Sequence, residues 1–141
     1  MSCCVKVYCG GKVKSSPFEA LTCLYVNRIR HWPIQVHEMQ GKQWGRLFRS
    51  PHMVWIALDE KGAQCSSAQF YDKFIFWSEH SKEVSFFIGE SHGLPLSIRP
   101  QINFFLSLGM MTWPHLAARV LLLEQLYRVQ QRHRNHPYSF V

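Results

Sequence analysis

The stretch LGMMTWPHL, residues 108–116, joins the apolar run FFLSL to a long helical pattern. FFLSL is too short for a helix and is typical of a buried strand. Pro114 suits the first turn of a helix, and Thr112 or Trp113 suits the N-cap before it. The stretch therefore predicts a loop that connects the end of a strand to the start of a helix, the repeating unit of α/β folds.

Apolar runs of strand length alternate with helical patterns along the rest of the chain. The predicted strands are CVKVYC (4–9), PIQVHEM (33–39), MVWIALDE (53–60), EVSFFIG (83–89) and FFLSL (104–108). The predicted helices begin near Ser16, Ser66 and Pro114 and end near Arg30, His80 and Arg132. We predict a loop over 41–52 and a short helix over 95–103. The alternation predicts an α/β fold with a mostly parallel sheet, and 141 residues without repeat or linker predict one domain over 1–141.

The charge balance of the chain is basic. It carries 16 Lys and Arg against 9 Asp and Glu, a formal net charge of +7. A basic surface favours a polyanionic partner such as nucleic acid, although a merely soluble basic protein is the open alternative. Charged residues make up only 18% of the chain, which argues against long disordered segments.

The five cysteines, at positions 3, 4, 9, 23 and 65, include no CxxC pair. Their spacing argues against a structural zinc site. The start MSCCVKVYCGG lacks the basic and apolar regions of a signal peptide, and no apolar run reaches the length of a membrane span. We therefore expect reduced thiols, no metal, no membrane contact and a cytoplasmic protein.

Three predicted loops follow strands of the predicted sheet. One has Leu58 and Asp59 at its edge, one runs from 89 to 93, and one runs from 109 to 115. Ligands bind beyond the carboxyl ends of strands in such sheets, so the three loops predict the walls of one pocket. GESHG at 89–93 is neither a Walker A loop nor GxGxxG, so a phosphate cradle is not supported. Asp59 is interpreted as a turn-former.

Three segments of the C-terminal half carry a family resemblance: VSFFIGESHGL (84–94), LSLGMMTWPHLAARVLLLEQLYR (106–128) and NHPYS (135–139). They resemble the SPOUT-class methyltransferases that modify N3 of a pseudouridine in large-subunit ribosomal RNA. The resemblance implies a trefoil-knotted α/β fold with the knot at about 84–141, a rare exception to the rule against knots. It also implies a homodimer, S-adenosylmethionine as methyl donor and the assembled ribosome as substrate.

The resemblance implies two groups of site residues. The implied cofactor-binding residues are Leu58, Gly89, Leu108, Gly109, Met110, Met111, Thr112 and Trp113. The residues implied for target binding and catalysis, near the dimer interface, are Arg128, His136 and Tyr138. Arg128 lies four residues after Glu124, so an ordinary ion pair on the helix is an equal alternative to a catalytic arginine. Met110 and Met111 by themselves are more typical of core filling than of a pocket.

Positive side chains form two groups in the sequence, which we interpret as RNA-contacting surfaces. One group lies at the end of the last helix and in the tail: Arg128, Arg132, His133, Arg134 and His136. The second is drawn from two earlier segments: Arg28, Arg30, Lys42, Arg46 and Arg49. Contacts of this kind with phosphates position RNA without reading its sequence.

The chain departs from the family pattern at three places. Glu90 stands where the family has a second glycine, and its side chain either crowds the cofactor or faces the sulfonium cation. Ser139 stands where a histidine follows the tail tyrosine. The stretch between VHEM and MVWIALDE is shorter than usual, with a loop at 46–49 in place of a helix.

The sequence favours a methyltransferase that uses S-adenosylmethionine to methylate N3 of a pseudouridine in 23S ribosomal RNA of the assembled ribosome. Two alternatives stay open. Glu90 and Ser139 motivate a non-catalytic RNA- or ribosome-binding module on the same fold. The third hypothesis is a methyltransferase that acts on transfer RNA.

Overall fold

The computed structural model describes residues 3–140, with side chains up to Tyr138. Within this range five strands form one sheet: β1 (Cys4–Gly10), β2 (Ile34–Met39), β3 (Met53–Gln64), β4 (Glu83–Ile88) and β5 (Phe104–Ser107). The α-helices are α1 (Glu19–Arg28), α2 (Ser67–His80) and α3 (His115–His133). Short 3₁₀ helices lie at Gly41–Arg46, Arg99–Gln101 and Pro137–Phe140.

The strands are arranged in the order β2-β1-β4-β3-β5, so β4 is central. All four strand pairings are parallel, and β4 is buried along its whole length. The α/β fold with a mostly parallel sheet is thereby confirmed. Because parallel strands share a direction, their carboxyl ends meet at one edge of the sheet.

The two faces of the sheet pack against different layers. Side chains alternate along each strand, so Val7, Ile56 and Phe86 point into the core beneath the three α-helices. Tyr8 and Phe87 point into a second core on the opposite face. That second core is covered by the 3₁₀ helix at Gly41–Arg46 and by the segment from 94 to 102.

Helices α2 and α3 begin within one residue of the predicted positions, whereas α1 begins later, at Glu19. The Ser66 hydroxyl accepts a hydrogen bond from the Gln69 N–H at 3.0 Å, a regular N-cap for α2. Ser16 does not cap α1, because its hydroxyl accepts from the Phe18 N–H and closes a turn before the helix. Pro114 is the residue at the N-cap of α3, so the prediction of Thr112 or Trp113 there is wrong; the Thr112 hydroxyl donates instead to Glu60.

Two predictions between the helices also need correction. The predicted 41–52 loop contains the 3₁₀ helix at Gly41–Arg46, because Gln40 and Gln43 form a reciprocal capping box and Trp44 packs into the second core. Strand β3 does not end at residue 60. It bulges between Leu58 and Ala63 and then pairs with β5 again up to Gln64.

The described helices include none with the length and apolar character that crossing a membrane requires. All five cysteines are free thiols. Burial raises the pKa of the Cys9 thiol to about 11, so this group stays protonated at neutral pH. Within residues 3–140 no three His, Cys, Asp or Glu side chains are grouped so as to hold a metal ion.

Candidate active site

A cavity of about 540 Å³ lies at the carboxyl edge of the sheet. Its walls are the bulge of β3, the loop that follows β4 and the loop that follows β5. Small-molecule sites in proteins typically have volumes of about 300–1,000 Å³. The lining residues are Leu58, Asp59, Glu60, Ile88, Gly89, Glu90, Ser91, Gly93, Leu94, Arg99, Leu108, Gly109, Met111, Thr112, Trp113, Pro114, His115 and Ala118.

The loop after β4 is folded tightly on itself. A Cβ atom at Gly89 would lie 2.6 Å from the carbonyl carbon of Gly93 and 2.8 Å from the nitrogen of Leu94. Gly93 has a positive φ of 84°, and its N–H donates to the carbonyl of Glu90 at 2.8 Å. Only glycine at position 89 allows the two backbone segments to approach this closely. The loop thereby presents backbone groups to the cavity.

The loop after β5 forms the opposite wall and is anchored at both ends. The Gly109 N–H donates to the Ser107 hydroxyl at 3.1 Å. The Thr112 hydroxyl donates to the carboxylate of Glu60, which ties this loop to the β3 bulge. Between these anchors the side chains of Met110 and Met111 are 80% and 74% exposed, so the two methionines do not fill the core.

The cavity is acidic although the protein is basic. Three acidic residues, Asp59, Glu60 and Glu90, are among those that line it, together with one arginine, Arg99. Arg99 lies 3.4 Å from Asp59, whose carboxylate also accepts the Lys61 N–H at 2.9 Å. Asp59 is thus both the predicted turn-former and a cavity residue. An excess of carboxylates favours a ligand with positive charge.

The structure brings seven of the eight predicted cofactor residues around this one cavity. The exception is Met110, which does not line it and points to solvent. The prediction missed Leu94 and Arg99, two lining residues that follow the loop at 89–93 in the sequence. We call the loop at 89–93 the glycine loop. Leu94 is the last residue of the segment VSFFIGESHGL (84–94) and could have been predicted from it. Arg99 reaches the cavity only through tertiary packing.

The residues predicted for catalysis lie together at the other end of α3. Arg128 forms an ion pair with Glu124 at 2.8 Å, and Tyr138 donates its hydroxyl to the same carboxylate at 2.5 Å. The Arg128 guanidinium lies 5.1 Å from the centre of the Tyr138 ring, and the Tyr138 N–H donates to Nδ1 of His136 at 3.2 Å. We call Glu124, Arg128, His136 and Tyr138 the tail cluster.

The hydrogen bonds of the tail cluster shift the pKa values of Arg128 and Tyr138. The hydrogen bond with Glu124 raises the pKa of Arg128, which stays charged. Burial, and then the hydrogen bond to Glu124, raise the pKa of the Tyr138 phenol. The ion pair between Glu124 and Arg128, one of the two alternatives that the sequence left open, is therefore present, and it holds the guanidinium beside the tail.

Within one chain the tail cluster is far from the cavity. His115 lines the cavity at the start of α3, and Arg128 lies thirteen residues further along the helix. At 1.5 Å per residue this separates the two by about 20 Å. A small ligand in the cavity cannot contact both groups of one chain.

A basic patch surrounds the tail cluster, and its composition differs from the prediction. The side chain of Gln130 joins α1 to α3, accepting from the Arg30 N–H at 2.6 Å and donating to the Arg28 carbonyl at 2.8 Å. Arg28 and Arg30 therefore lie against the C-terminal half of α3, where the Arg28 guanidinium is 6.0 Å from the centre of the Tyr127 ring, and not in a second surface with the 41–49 segment. Arg132 lies on the side of α3 that faces α2, with its guanidinium 4.7 Å from the centre of the Tyr71 ring. Burial, followed by the nearby His133 and Arg134, lowers the pKa of His31 at this patch.

We expect Tyr138→Phe to lower the free energy of unfolding by about 1 kcal/mol, because one hydrogen bond to a carboxylate is lost. Urea denaturation monitored by circular dichroism measures this. Tyr71→Phe is the control, since Tyr71 is a half-buried tyrosine of α2 that stacks under Arg132 through its ring. Equal losses in both variants would contradict a structural role for the Tyr138 hydroxyl.

The fold and the cavity define a class. The family described as "Predicted SPOUT methyltransferase" matches residues 4–139. The SpoU methyltransferase AviRb from Streptomyces viridochromogenes superimposes with a TM-score of 0.53 at 16% identity, over 96% of this chain and 62% of that one. A second structure of AviRb, in complex with the cofactor AdoMet, gives 0.52. At this identity the likeness concerns the fold, and the chain spans less than two thirds of AviRb.

Relatives in sequence are more specific. The ribosomal RNA large subunit methyltransferase H of Rhizorhabdus wittichii is 37% identical over 130 residues, which cover 91% of both chains. The protein of the same name from Zymomonas mobilis is 31% identical over 137 residues, 95% of this chain and 96% of its own. The chain belongs to the SPOUT methyltransferase family, within the group whose relatives are named ribosomal RNA large subunit methyltransferase H.

Proposed function

We propose that this protein is a cytoplasmic methyltransferase that uses S-adenosylmethionine to methylate N3 of a pseudouridine in 23S ribosomal RNA. The observation that carries the proposal is the acidic cavity at the carboxyl edge of the sheet of a basic protein. The cavity suits a cationic small molecule, and the basic patch suits a polyanion. The relatives named for ribosomal RNA support the choice of RNA.

The residues of the cavity fit S-adenosylmethionine. Leu58, Leu108 and Trp113 provide apolar surface for a flat base, and the glycine loop at 89–93 provides backbone groups at close range. The carboxylates of the lining can accept hydrogen bonds from ribose hydroxyls and attract the positive charges of the ligand. When bound, this cofactor supplies an electrophilic methyl group.

The separation of about 20 Å between the cavity and the tail cluster supports a homodimer as the active form. A two-fold axis that places α3 of one protomer against its partner can bring the tail cluster of one chain to the cavity of the other. Each site would then combine a donor cavity with a tail cluster supplied in trans. The exposed Leu121 on α3 is consistent with a covered surface there.

The side chains of the tail cluster suit the chemistry of the acceptor. The N3 proton of the base leaves as the nitrogen attacks the methyl group, so the ring carries negative charge in the transition state. The guanidinium of Arg128 stabilises that charge, and the imidazole of His136, or water, accepts the proton. Tyr138 holds Glu124 and stacks with Arg128, which orients the guanidinium.

The first test is transfer of a labelled methyl group to assembled ribosomes, to free ribosomal RNA and to transfer RNA, followed by mapping of the modified base. We expect ribosomes to be labelled at one pseudouridine. Arg128→Ala should lower the rate about a hundredfold, as loss of one charge-stabilising donor does, with unchanged affinity for the donor. Labelling of transfer RNA alone would favour the transfer RNA alternative. Absence of donor binding and of labelling would favour the non-catalytic module.

The second test is complementation between two inactive variants. Gly89→Ala damages the cavity and Arg128→Ala damages the tail cluster. Mixed subunits should regain about a quarter of wild-type activity, because half of the dimers are mixed and each contains one intact site of two. Each variant alone is the control. A mixture without recovered activity, from subunits shown to exchange, would contradict supply of the tail in trans.

A further inference from the structure

Glu90 occupies the middle of the ligand-binding edge. It directly follows β4, the central strand, and it is one of the residues that line the cavity. The side chain lies over the end of β1, since a Cβ at Gly10 would be 2.3 Å from Cγ of Glu90 and 3.2 Å from its Cδ. The Glu90 side chain fits there because Gly10 has no side chain. The carboxylate is held near the cavity wall and not across the cavity.

The other carboxylates of the cavity have partners. Asp59 is paired with Arg99, and Glu60 accepts from the hydroxyl of Thr112. Across residues 3–140, the side chain of Glu90 makes neither a hydrogen bond nor an ion pair. The charge of Glu90, unlike that of Asp59, is not already balanced by a cation of the protein, so a positively charged ligand gains most from contact with Glu90.

We propose that Glu90 is a specificity-determining residue that favours the positively charged methyl donor over its product. This inference rests on the proposed function. Methyl transfer moves the methyl group from sulfur to the acceptor nitrogen, and the sulfur keeps the electron pair of the broken bond. S-adenosylmethionine thereby becomes the neutral thioether S-adenosylhomocysteine. Glu90 attracts the sulfonium of the donor and has no such attraction for the thioether, so the product is bound less tightly and leaves.

The alternative for Glu90 is attraction of the ammonium group. Both ligands carry the same ammonium, carboxylate, ribose and adenine, and they differ only at sulfur. A carboxylate that faces the ammonium would strengthen binding of both ligands equally. Comparison of the two affinities therefore separates the sulfonium from every other part of the ligand.

The test is isothermal titration of the full chain with S-adenosylmethionine and with S-adenosylhomocysteine. Glu90→Gln keeps the size of the side chain and removes its charge. We expect about fivefold weaker binding of S-adenosylmethionine and an unchanged affinity for S-adenosylhomocysteine, the magnitude of one partly exposed charge pair. Glu79→Gln, an exposed glutamate of α2, is the control for net charge and should change neither affinity.

Salt provides a second readout, since it screens exposed charges. The preference of the wild-type protein for S-adenosylmethionine over S-adenosylhomocysteine should fall with rising salt, and the Glu90→Gln variant should have lost this dependence. Equal weakening of both ligands, or tighter binding of either by Glu90→Gln, would overturn the role of Glu90 and leave the proposed function intact. A wild-type protein that binds neither ligand would overturn both.

Discussion

Replacement of Arg119 by methionine is expected to lower the free energy of unfolding by about 3 kcal/mol, because it removes a buried guanidinium that serves a half-buried carboxylate and two backbone carbonyls. Arg119 lies on α3 and is 1% exposed. Its Nη1 donates to the Glu38 carboxylate at 2.7 Å, and its Nη2 donates to the carbonyls of Gly10 and Gly11 at 3.3 and 3.2 Å. The guanidinium thereby joins α3 to the end of β1 and to β2.

Urea denaturation measures this effect. Arg46→Met is the matched control, because Arg46 is an exposed arginine in a 3₁₀ helix on the opposite face of the sheet, where a substitution should change stability by less than about 0.5 kcal/mol. Equal losses of stability in the two variants would show that the buried guanidinium contributes nothing specific.

The same contact predicts a dependence on pH. Burial alone would raise the pKa of the Glu38 carboxyl, but hydrogen bonds from Arg119 and from the Val13 N–H outweigh it, and the pKa lies below the usual 4.5. A lowered carboxyl pKa stabilises the folded state above the usual value, and this contribution is lost as the pH falls below about 4.5. In urea denaturation at pH 5 and at pH 3, Arg119→Met should therefore show a smaller loss of stability between the two pH values than the wild type.

Replacement of Gly89 by alanine is expected to abolish measurable binding of the methyl donor and to lower the free energy of unfolding by about 2 kcal/mol. The added methyl group would lie 2.6 Å from the Gly93 carbonyl carbon and 2.8 Å from the Leu94 nitrogen. Both are backbone atoms, so no side-chain rotation relieves the contact. The loop must open, and its backbone groups leave their positions on the cavity wall.

Titration calorimetry and urea denaturation measure the two parts of this prediction. Gly45→Ala is the control, because a Cβ there would meet no atom within 4 Å and the backbone conformation is one that alanine adopts. It should bind the donor as the wild type does and be at least as stable. Donor binding by Gly89→Ala at wild-type affinity would remove the glycine loop from the cofactor site.

The periodicity of the sequence predicts the parallel sheet and most of the cavity wall. The strand EVSFFI is apolar at four of its six positions because β4 is buried on both faces, and this pattern is local. The loop at 89–93 follows β4 directly, and the loop at 109–113 follows β5 after one residue. Parallel strands bring these loops to one edge whatever the details of packing. Leu58 and Gly89 could for that reason be placed in one pocket from the sequence.

The starts of the helices were less predictable. Ser16 and Thr112 have the side chains of N-caps, yet each hydroxyl binds elsewhere, Ser16 to a turn and Thr112 to Glu60. The choice depends on a partner 52 residues away in the case of Thr112. The exposure of Met110 could not be predicted either, because methionine occurs both in cores and in surface loops.

The sequence by itself determined the class of fold, the edge of the sheet where a ligand binds and the basic character of the surface, because these depend on residue type and on spacing along one chain. Only the tertiary structure decided which charges meet. Arg119 contacts Glu38 across 81 residues, Gln130 of α3 binds the backbone of Arg28 and Arg30, and Glu90 lies over Gly10 without a partner among the described residues. The structure also separates Arg128 from the cavity by the length of α3. Such relations arise from packing between distant segments, on which local periodicity carries no information.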